Sequence, residues 1–412
     1  MLLCAAGAAQ AADGTADSFT DMFTKGSANI DMRYRYENVD QDHNEKVPPK
    51  DFNRTASANT LRSRLTLGTA AWHGVSGLIE GDHVTDFGSD NYNSTENGNI
   101  DRPVIADPTG TDLNQVWLKY AGGNYDGTLG RQRILHGNQR FVGGVAWRQN
   151  EQTYDAFRAH WNPMEVIKLD VSYVNQVKRI FGPDDGANPA DWEGDNYLAR
   201  VDYQLNDRNT ISAFGYWLDI DDDCCFAGDN GAFNPGKTVN NSTDTYGVEY
   251  RGNFQHLSIA ASYDTQSEAG DSELDYDADY YMVELGTKLS VLNLKGGYEV
   301  LASDNGVGFK TPLATLHKFQ GWADKFLGTP GDGIEDLYGS IGTKLGPVNM
   351  AVVYHDFQAE DSSEDFGTEW DVVATWKFTK RFSMQAKAAS FDSDSDRYAD
   401  TDKVWFTAQY KW

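Results

Sequence analysis

The sequence predicts an all-β fold, a transmembrane antiparallel β-barrel of about 18 strands with short periplasmic turns and long acidic extracellular loops. Three observations predict it. Apolar and polar residues alternate with a period of two, short and long connections alternate along the chain, and aromatic residues lie near the strand ends. The composition agrees, because 13% of the residues are aromatic and 40 are Gly.

Charge and hydropathy exclude several other classes. The 412 residues include 62 acidic and 35 basic side chains, a formal net charge of −27, which argues against a nucleic-acid partner. No apolar run approaches the length that a membrane-spanning helix needs. The mean hydropathy of −0.59 is compatible with a barrel, since only alternate strand residues must face lipid.

The N-terminus resembles the end of a signal peptide. Residues 2–9 are apolar, and the triplet 9–11 (Ala-Gln-Ala) fits the small-x-small cleavage rule, although basic residues are absent before the apolar stretch. The alternative is an unstructured soluble N-terminus. Cys4 follows Leu3 rather than a small residue, so no lipid anchor is predicted. We expect a signal peptide at 1–11, a periplasmic segment at 12–28 and one barrel domain at 29–412.

The strands are predicted from their alternation. In the last segment, Val404, Phe406, Ala408, Tyr410 and Trp412 share one face, and polar residues dominate the other. The same pattern recurs along the chain. The eighteen candidate strands lie at 29–38, 58–70, 75–86, 112–120, 124–132, 152–161, 165–177, 194–205, 209–219, 243–252, 255–265, 277–289, 291–301, 336–345, 347–357, 367–378, 380–390 and 402–412.

The connections distinguish a closed barrel from a soluble sandwich. They are alternately one to four residues long and many residues long, whereas the loops of a sandwich need not be long at one end only. The long connections lie at 39–57, 87–111, 133–151, 178–193, 220–242, 266–276, 302–335, 358–366 and 391–401.

Acidic residues concentrate in four segments on or beside long loops. Residues 219–229, 264–279, 360–371 and 392–402 carry five, seven, six and five acids. These loops could gather divalent cations, bridge to anionic lipid headgroups or repel anions; alternatively, they form a solvated surface that prevents aggregation. Residues 392–396 resemble the start of a calcium loop but lack its central Gly and closing Glu, so no metal site is predicted.

Cys224 and Cys225 are adjacent and match neither a zinc site nor a disulfide framework. Two interpretations stay open for them. They could form a strained vicinal disulfide at a loop tip, or they could be two ordinary thiols in an acidic loop.

The predicted register turns many basic side chains towards the lumen. Arg33 and Arg35 face Arg62 and Arg64 across the first two strands, a cluster more basic than wall pairing needs. A ring of guanidinium groups can act as an anion filter. The alternative is that each charge only pairs across neighbouring strands. The predicted anion-selective constriction comprises Arg33, Arg35, Arg62, Arg64, Arg158, Arg200, Arg251 and Lys119.

Residues 129–158 and 316–327 carry a family resemblance. Gly130-Arg131-Gln132, Gln139-Arg140-Phe141 and Thr153-Tyr154-Asp155 are its most telling parts, and they are similar to the alginate export family of outer-membrane proteins. The resemblance implies an eighteen-stranded monomeric barrel with an arginine-rich constriction that passes anionic polysaccharide.

The same resemblance carries residues over as constriction, loop-anchoring or gate candidates. Arg131 and Arg133 share strand parity with Leu129, so either the register slips there or both lie above the membrane. The 34-residue connection at 302–335 is long enough to fold into the pore as a gate, or it could form a packed cap. The loop and gate candidates are Arg131, Arg133, Arg140, Arg148, His317, Trp322 and Asp324.

The predicted function is passive passage of anionic solutes through the bacterial outer membrane without a cofactor or metal, with saccharides such as alginate as the expected solutes. A general diffusion porin and a non-conducting adhesion or scaffold barrel are the alternatives. We find no G-x-S-x-G, H-E-x-x-H or C-x-x-C motif that would indicate a barrel enzyme. The expected partners are an anionic saccharide or another small anionic solute, and outer-membrane lipid or lipopolysaccharide. Nucleic acid is not expected, and the protein is expected to be a monomer.

Overall fold

The computed structural model describes residues 14–42, 54–88, 91–221, 223–227 and 233–412. The expected signal peptide at 1–11 lies outside these ranges. The side chains of Cys224 and Cys225 are also outside the described part, so neither interpretation of these cysteines is addressed.

Eighteen antiparallel strands of the described chain form one closed sheet, in which each strand pairs with its neighbours in sequence. This confirms the predicted fold. The strands are β1 (Ser27–Gln41), β2 (Thr55–Gly68), β3 (Val75–Asp86), β4 (Gly110–Gly122), β5 (Tyr125–Gln132), β6 (Thr153–Met164), β7 (Ile167–Lys178), β8 (Asp191–Asn206), β9 (Asn209–Leu218), β10 (Thr243–Asn253), β11 (Ser258–Glu268), β12 (Asp277–Leu289), β13 (Leu292–Leu301), β14 (Ile334–Leu345), β15 (Val348–Gln358), β16 (Asp365–Lys377), β17 (Phe382–Ser393) and β18 (Thr401–Lys411).

The first and last strands close the barrel. β1 pairs with β18 in one register from Asp31 opposite Lys411 to Gln41 opposite Thr401. Ile30 and Trp412 extend this seam, because each backbone N–H donates to the other's carbonyl, at 3.0 and 2.9 Å. The sheet therefore has no free edge at the seam, which is what a barrel in lipid requires.

The two faces of the wall differ as the alternation predicts. On β18, Val404, Phe406 and Tyr410 are exposed on the outside, whereas Lys403 and Trp405 are buried on the inside. The outer surface of the other strands is likewise rich in exposed Leu, Val, Tyr and Trp side chains. An apolar outer band around a polar interior is the arrangement of a membrane-embedded barrel.

Two long connections fold into the barrel instead of extending away from it. We call residues 133–152 the first inward loop and residues 302–333 the second inward loop. Phe141 of the first packs near Phe214 and Tyr280, with ring centroids 5.2 Å away in both cases. Phe326 of the second lies 4.7 Å from Phe357. The extracellular half of the barrel therefore contains a packed hydrophobic core.

The remaining elements are short. A six-residue helix, α1 (Phe19–Thr24), precedes β1, and a 3-10 turn spans Leu316–Lys318 in the second inward loop. Two small hairpins, Asp223–Ala227 with Phe233–Asn240 and Ser303–Asp304 with Val307–Gly308, lie in connections. Within the described ranges, no helix is both long and apolar enough to cross a membrane.

Candidate functional site

The four arginines of the first two strands lie together on the inner wall, as the register predicts. Arg33 is directly opposite Arg62 in the pairing of β1 with β2. All four side chains are buried, since Arg33 and Arg64 are 7% exposed and Arg35 and Arg62 are 2% exposed. They are covered by the end of the first inward loop and by the loop that precedes β4.

This cluster holds the first inward loop against the wall. Arg33 donates to the carbonyl of Ala146 at 2.8 Å and to Oε1 of Gln149 at 3.0 Å. The guanidinium of Arg35 lies 4.1 Å from the ring centre of Trp147, a cation–π distance. Backbone carbonyls and an indole of the loop thus contact the basic wall directly.

Acidic side chains neutralise the edge of the cluster. Arg64 pairs with Asp82 of β3 and, at 2.8 Å, with Glu151 of the first inward loop. Glu151 also accepts from Arg133 at 2.7 Å, and Arg133 reaches Glu80 at 2.6 Å. The basic cluster is therefore one side of a buried network of both signs.

Arg131 and Arg133 take different sides of the wall. Arg131 pairs with Asp155 at 2.8 Å on the outer face, the same side as the exposed Leu129 and Phe157. Arg133 follows the end of β5 and turns inward. The two explanations for their shared parity were a slip in register and a position above the membrane. Arg131 fits a position above the lipid. Arg133 lies beyond the end of β5, so the parity of the strand no longer determines the direction of its side chain.

The other constriction candidates lie on the inner face but apart from the first cluster. Lys119 pairs with Asp126 at 3.0 Å, and Arg158 pairs with Asp170. Arg200 pairs with Glu249 at 2.8 Å. A cavity of about 310 Å³ reaches several of these groups on the periplasmic side of the first inward loop, and it is also lined by His136, His160 and Lys168.

Asp324, a gate candidate in the second inward loop, is contacted by two other gate candidates, His317 and Arg148, and by Lys403. His317 Nδ1 lies 2.6 Å from the Asp324 carboxylate, Lys403 of β18 lies 2.9 Å away and Arg148 of the first inward loop lies 3.4 Å away. Burial alone would raise the pKa of Asp324, but the facing His317, Lys403 and Arg148 hold it well below its usual range. Arg148 also binds Glu37 of β1 at 2.9 Å.

His317 and Lys387 join both inward loops to the wall. Lys387 of β17 donates to His317 Nε2 at 2.6 Å, and its ammonium lies 4.1 Å from the ring centre of Trp147 and 3.6 Å from that of Trp322. The His317 ring stacks on Trp147 at 4.4 Å. Burial, together with the charge of Lys387, lowers the pKa of His317 to about 3. We call His317, Asp324, Lys387 and Trp147 the His317 cluster.

Two further contacts tie the second inward loop down. The carboxylate of Glu369 on β16 accepts from the backbone N–H groups of Trp322 and, at 2.7 Å, Ala323. Glu299 of β13 forms an ion pair with Arg140 of the first inward loop at 2.8 Å and accepts a hydrogen bond from Gln320 of the second at 2.7 Å. Glu299 therefore anchors both loops, whereas Glu369 anchors the second.

The main cavity, of about 840 Å³, lies between these loops and the wall formed by β10 to β17. Its lining reaches Asn253 and Ser258 beside the periplasmic turn between β10 and β11. Tyr280 and Tyr338 supply aromatic surface and hydroxyl groups, which donate to Glu299 and Glu284. The cavity is therefore large enough for a ring-sized solute and lies on the periplasmic side of the packed loops.

Two cations in this cavity are weakly neutralised. The guanidinium of Arg251 lies 3.6 Å from the carboxylate of Glu249, its closest ion-pair partner. Glu249 also pairs with Arg200, at 2.8 Å. Lys318 donates to the carbonyl of Asn138, and no carboxylate of the described chain lies within ion-pair distance of it. Burial, followed by repulsion from Arg251, lowers the pKa of Lys318 to about 8, so it is mainly charged at neutral pH.

The sequence did not indicate several residues of this site. The tryptophan neighbours of Lys387 come from three distant parts of the chain, so no local pattern could indicate its position in the site. Lys318 is in the segment that carried the family resemblance, and its charge in a long loop was the only available signal. Glu369 is part of an acidic segment expected on or beside a loop, yet it lies on the inner wall and is fully buried. Within the described ranges, no three His, Cys, Asp or Glu side chains are grouped to hold a metal ion.

A closed 18-stranded barrel with an apolar outside and a charged, cavity-containing interior defines an outer-membrane channel of the porin type. The family model described as alginate export matches residues 52–296. The chain therefore belongs to the alginate export family, and its place is the bacterial outer membrane. No curated protein matches the sequence.

Solved structures share the fold at low sequence identity. Pseudomonas aeruginosa OccK9 (OpdG) is similar with a TM-score of 0.71 at 14% identity, over 95% of this chain and 99% of that one. Acinetobacter baumannii OccAB4 gives 0.68 at 11% identity, over 94% and 98%. Pseudomonas aeruginosa OpdK, solved with vanillate, gives 0.67 at 12% identity, over 94% and 98%. At these identities the similarity shows the fold alone.

Proposed function

We propose that this protein is a monomeric outer-membrane channel that gives anionic solutes passive passage, with acidic saccharides as its main substrates. The observation that carries the proposal is the main cavity, where Arg251 shares its carboxylate, Glu249, with Arg200, and no carboxylate of the described chain lies within ion-pair distance of Lys318. An entering carboxylate would supply the missing negative charge. The hydroxyl groups and aromatic rings beside them suit a sugar ring.

Passage needs no chemistry in this proposal. A solute enters the wet cavity, exchanges part of its hydration for contacts with Arg251 and Lys318, and leaves because each contact is weak and the others are nearby. The two inward loops fill the extracellular half of the lumen, so their displacement controls how large a solute can cross. Arg140, Arg148, His317, Trp322 and Asp324 serve as gate residues by holding these loops to each other and to the wall.

The test is the reversal potential of single channels in a planar bilayer under a salt gradient, followed by addition of alginate oligomers. We expect anion selectivity and block of the current by the oligomers. Replacing Arg251→Gln and Lys318→Gln together should lower the anion-to-cation permeability ratio about two- to threefold. The matched control is Lys344→Gln, which removes one cation from an exposed site at the periplasmic end of β14.

The other outcomes favour the alternatives. Cation selectivity without block would indicate that the acidic loops dominate and that the protein is a general diffusion porin. A protein that inserts but never conducts would favour an adhesion or scaffold barrel.

A further inference from the structure

At the His317 cluster, the two inward loops contact each other and the wall. Trp147 belongs to the first loop, His317 and Asp324 belong to the second, and Lys387 belongs to β17. A change of charge at His317 would therefore act on both loops at once.

We propose that protonation of His317 releases the two inward loops from the wall, so that the channel opens as the pH falls. This inference rests on the proposed channel function for only one of its two readouts, the ionic current. It concerns regulation, which neither the fold nor the family defines.

The hydrogen bonds around His317 require a neutral ring. Nε2 accepts from the Lys387 ammonium at 2.6 Å, so it cannot carry a proton, and Nδ1 must therefore be the nitrogen that donates to Asp324 at 2.6 Å. A proton on Nε2 would convert the first contact into a repulsion between two cations. Lys387 would then have to leave its position between Trp147 and Trp322.

The charges around the His317 ring would not stabilise the positive charge that a second ring proton creates. Asp324 on the same loop is the facing anion, and it already binds Lys403 of β18 and Arg148 of the first inward loop. Lys387 faces the ring from β17, and the remaining neighbours are the indoles of Trp147 and Trp405, the latter 5.7 Å away. His317 thus faces Lys387 directly, together with a carboxylate that two other cations already share and apolar rings, so its burial and these charges oppose a second ring proton.

The backbone of both loops is strained in the docked state. Val145 has φ of 47°, which is unusual for a β-branched residue, and Gln320 and Asp324 have φ of 47° and 60°. Strain of this kind persists only while the surrounding contacts maintain it. Loss of the contacts around His317 would therefore favour relaxation of both loops.

The sign of the pH effect follows from the depressed pKa of His317. Docking of the loops has its full stability above the ordinary value of 6.5, and that stability is lost progressively as the pH falls towards the docked value of about 3. By this linkage, lowering the pH from 7.5 to 5 shifts the balance towards released loops by about thirtyfold.

The experiment compares channel opening and loop exchange in three proteins, namely the unmodified chain, His317→Gln and a matched control, His256→Gln, in the exposed turn between β10 and β11. Single-channel recordings at pH 7.5 and pH 5 measure open probability. Hydrogen–deuterium exchange of peptides covering 312–327, compared between proteins at one pH, measures loop release without any current.

We expect the unmodified chain and His256→Gln to open about thirtyfold more often at pH 5 than at pH 7.5, whereas the open probability of His317→Gln should change less than twofold. At pH 5, the loop peptides of the unmodified chain and of His256→Gln should exchange faster than those of His317→Gln. The proposal is overturned if His317→Gln responds like the unmodified chain, or if loop exchange in the unmodified chain does not rise beyond that in His317→Gln at pH 5. If exchange follows His317 but no protein conducts, the release stands and the channel function is wrong.

Discussion

Arg148 shows how a single side chain connects parts of this barrel that are distant in sequence. Its guanidinium lies 2.9 Å from Glu37 of β1 and 3.4 Å from Asp324 of the second inward loop. Glu37 has no solvent exposure, so each charge in this network depends on its counter-charge. Removing one partner of a buried pair leaves the other unpaired, which costs more than the pair contributes. The proposed gate residues Arg148 and Asp324 are therefore also expected to contribute to stability.

The four arginines of β1 and β2 provide the test at the residue scale. The prediction that they form an anion filter has not been tested, and their burial indicates that they also anchor the first inward loop. Replacing Arg33, Arg35, Arg62 and Arg64 by Gln should lower the anion-to-cation permeability ratio, because four positive charges leave the inner wall. It should also lower the unfolding temperature, because loss of a buried counter-charge costs about 3–5 kcal/mol.

Reversal potentials and thermal unfolding in detergent measure the two effects separately. Arg208→Gln, in the exposed turn between β8 and β9, is the matched control and should change neither. An unchanged reversal potential with a lowered unfolding temperature would show that the four arginines only anchor the loop and that the filter hypothesis is wrong.

Strands and inward loops differ in how far they could be predicted from the sequence. The predicted strand at 209–219 is observed at Asn209–Leu218, because its alternation is a local signal. The strand predicted at 255–265 begins three residues later, at Ser258, because residues 254–257 form the turn. Errors of the same size occur at the loop ends of strands, where β1 continues to Gln41 and β8 begins at Asp191. The alternation does not contain the position at which a strand gives way to a turn or a loop.

Docking of the loops was beyond prediction for a different reason. Arg33 and Ala146 are 113 residues apart in sequence, and Arg148 and Asp324 are 176 apart. The resemblance and the length of 302–335 indicated a gate or a cap and identified His317, Trp322 and Asp324. They did not indicate that residues 133–152 would fold inward beside it, nor that Lys387 would join the two.

The packing of Phe326 gives the prediction at the scale of the element. Its ring lies 4.7 Å from Phe357 and 4.9 Å from Tyr398, so it attaches the second inward loop to the upper wall. Phe326→Ala should weaken docking by about 3–5 kcal/mol, because it leaves a cavity in a closely packed core. We expect higher open probability in single-channel recordings and a less stable loop. Phe378→Ala, which truncates an exposed phenylalanine beside a periplasmic turn, should leave gating unchanged.

At the scale of the whole molecule, the same barrel has separate charge environments. The outer wall is apolar, the lumen carries paired and weakly paired cations, and the acidic segments lie mainly at the extracellular end. The net charge of −27 therefore says little about the charge that a solute meets inside. Electrostatic screening affects the exposed loops more than the buried networks, so the selectivity measured in salt reports chiefly on the lumen.

Closure of the barrel gives the last prediction. β18 pairs with β17 on one side and β1 on the other, and Phe406 lies opposite Tyr36 in the seam. Phe406→Pro removes a backbone donor from a strand with two neighbours and should prevent closure. Phe406→Ala keeps the donor and loses only an outward side chain, so it should still close. Heat-modifiable mobility on SDS gels, in which unheated and heated samples are compared, measures the fraction of protein that has formed a closed barrel. If Phe406→Pro closes as completely as Phe406→Ala, the seam does not depend on an unbroken ladder, and the loops inside must hold the wall together.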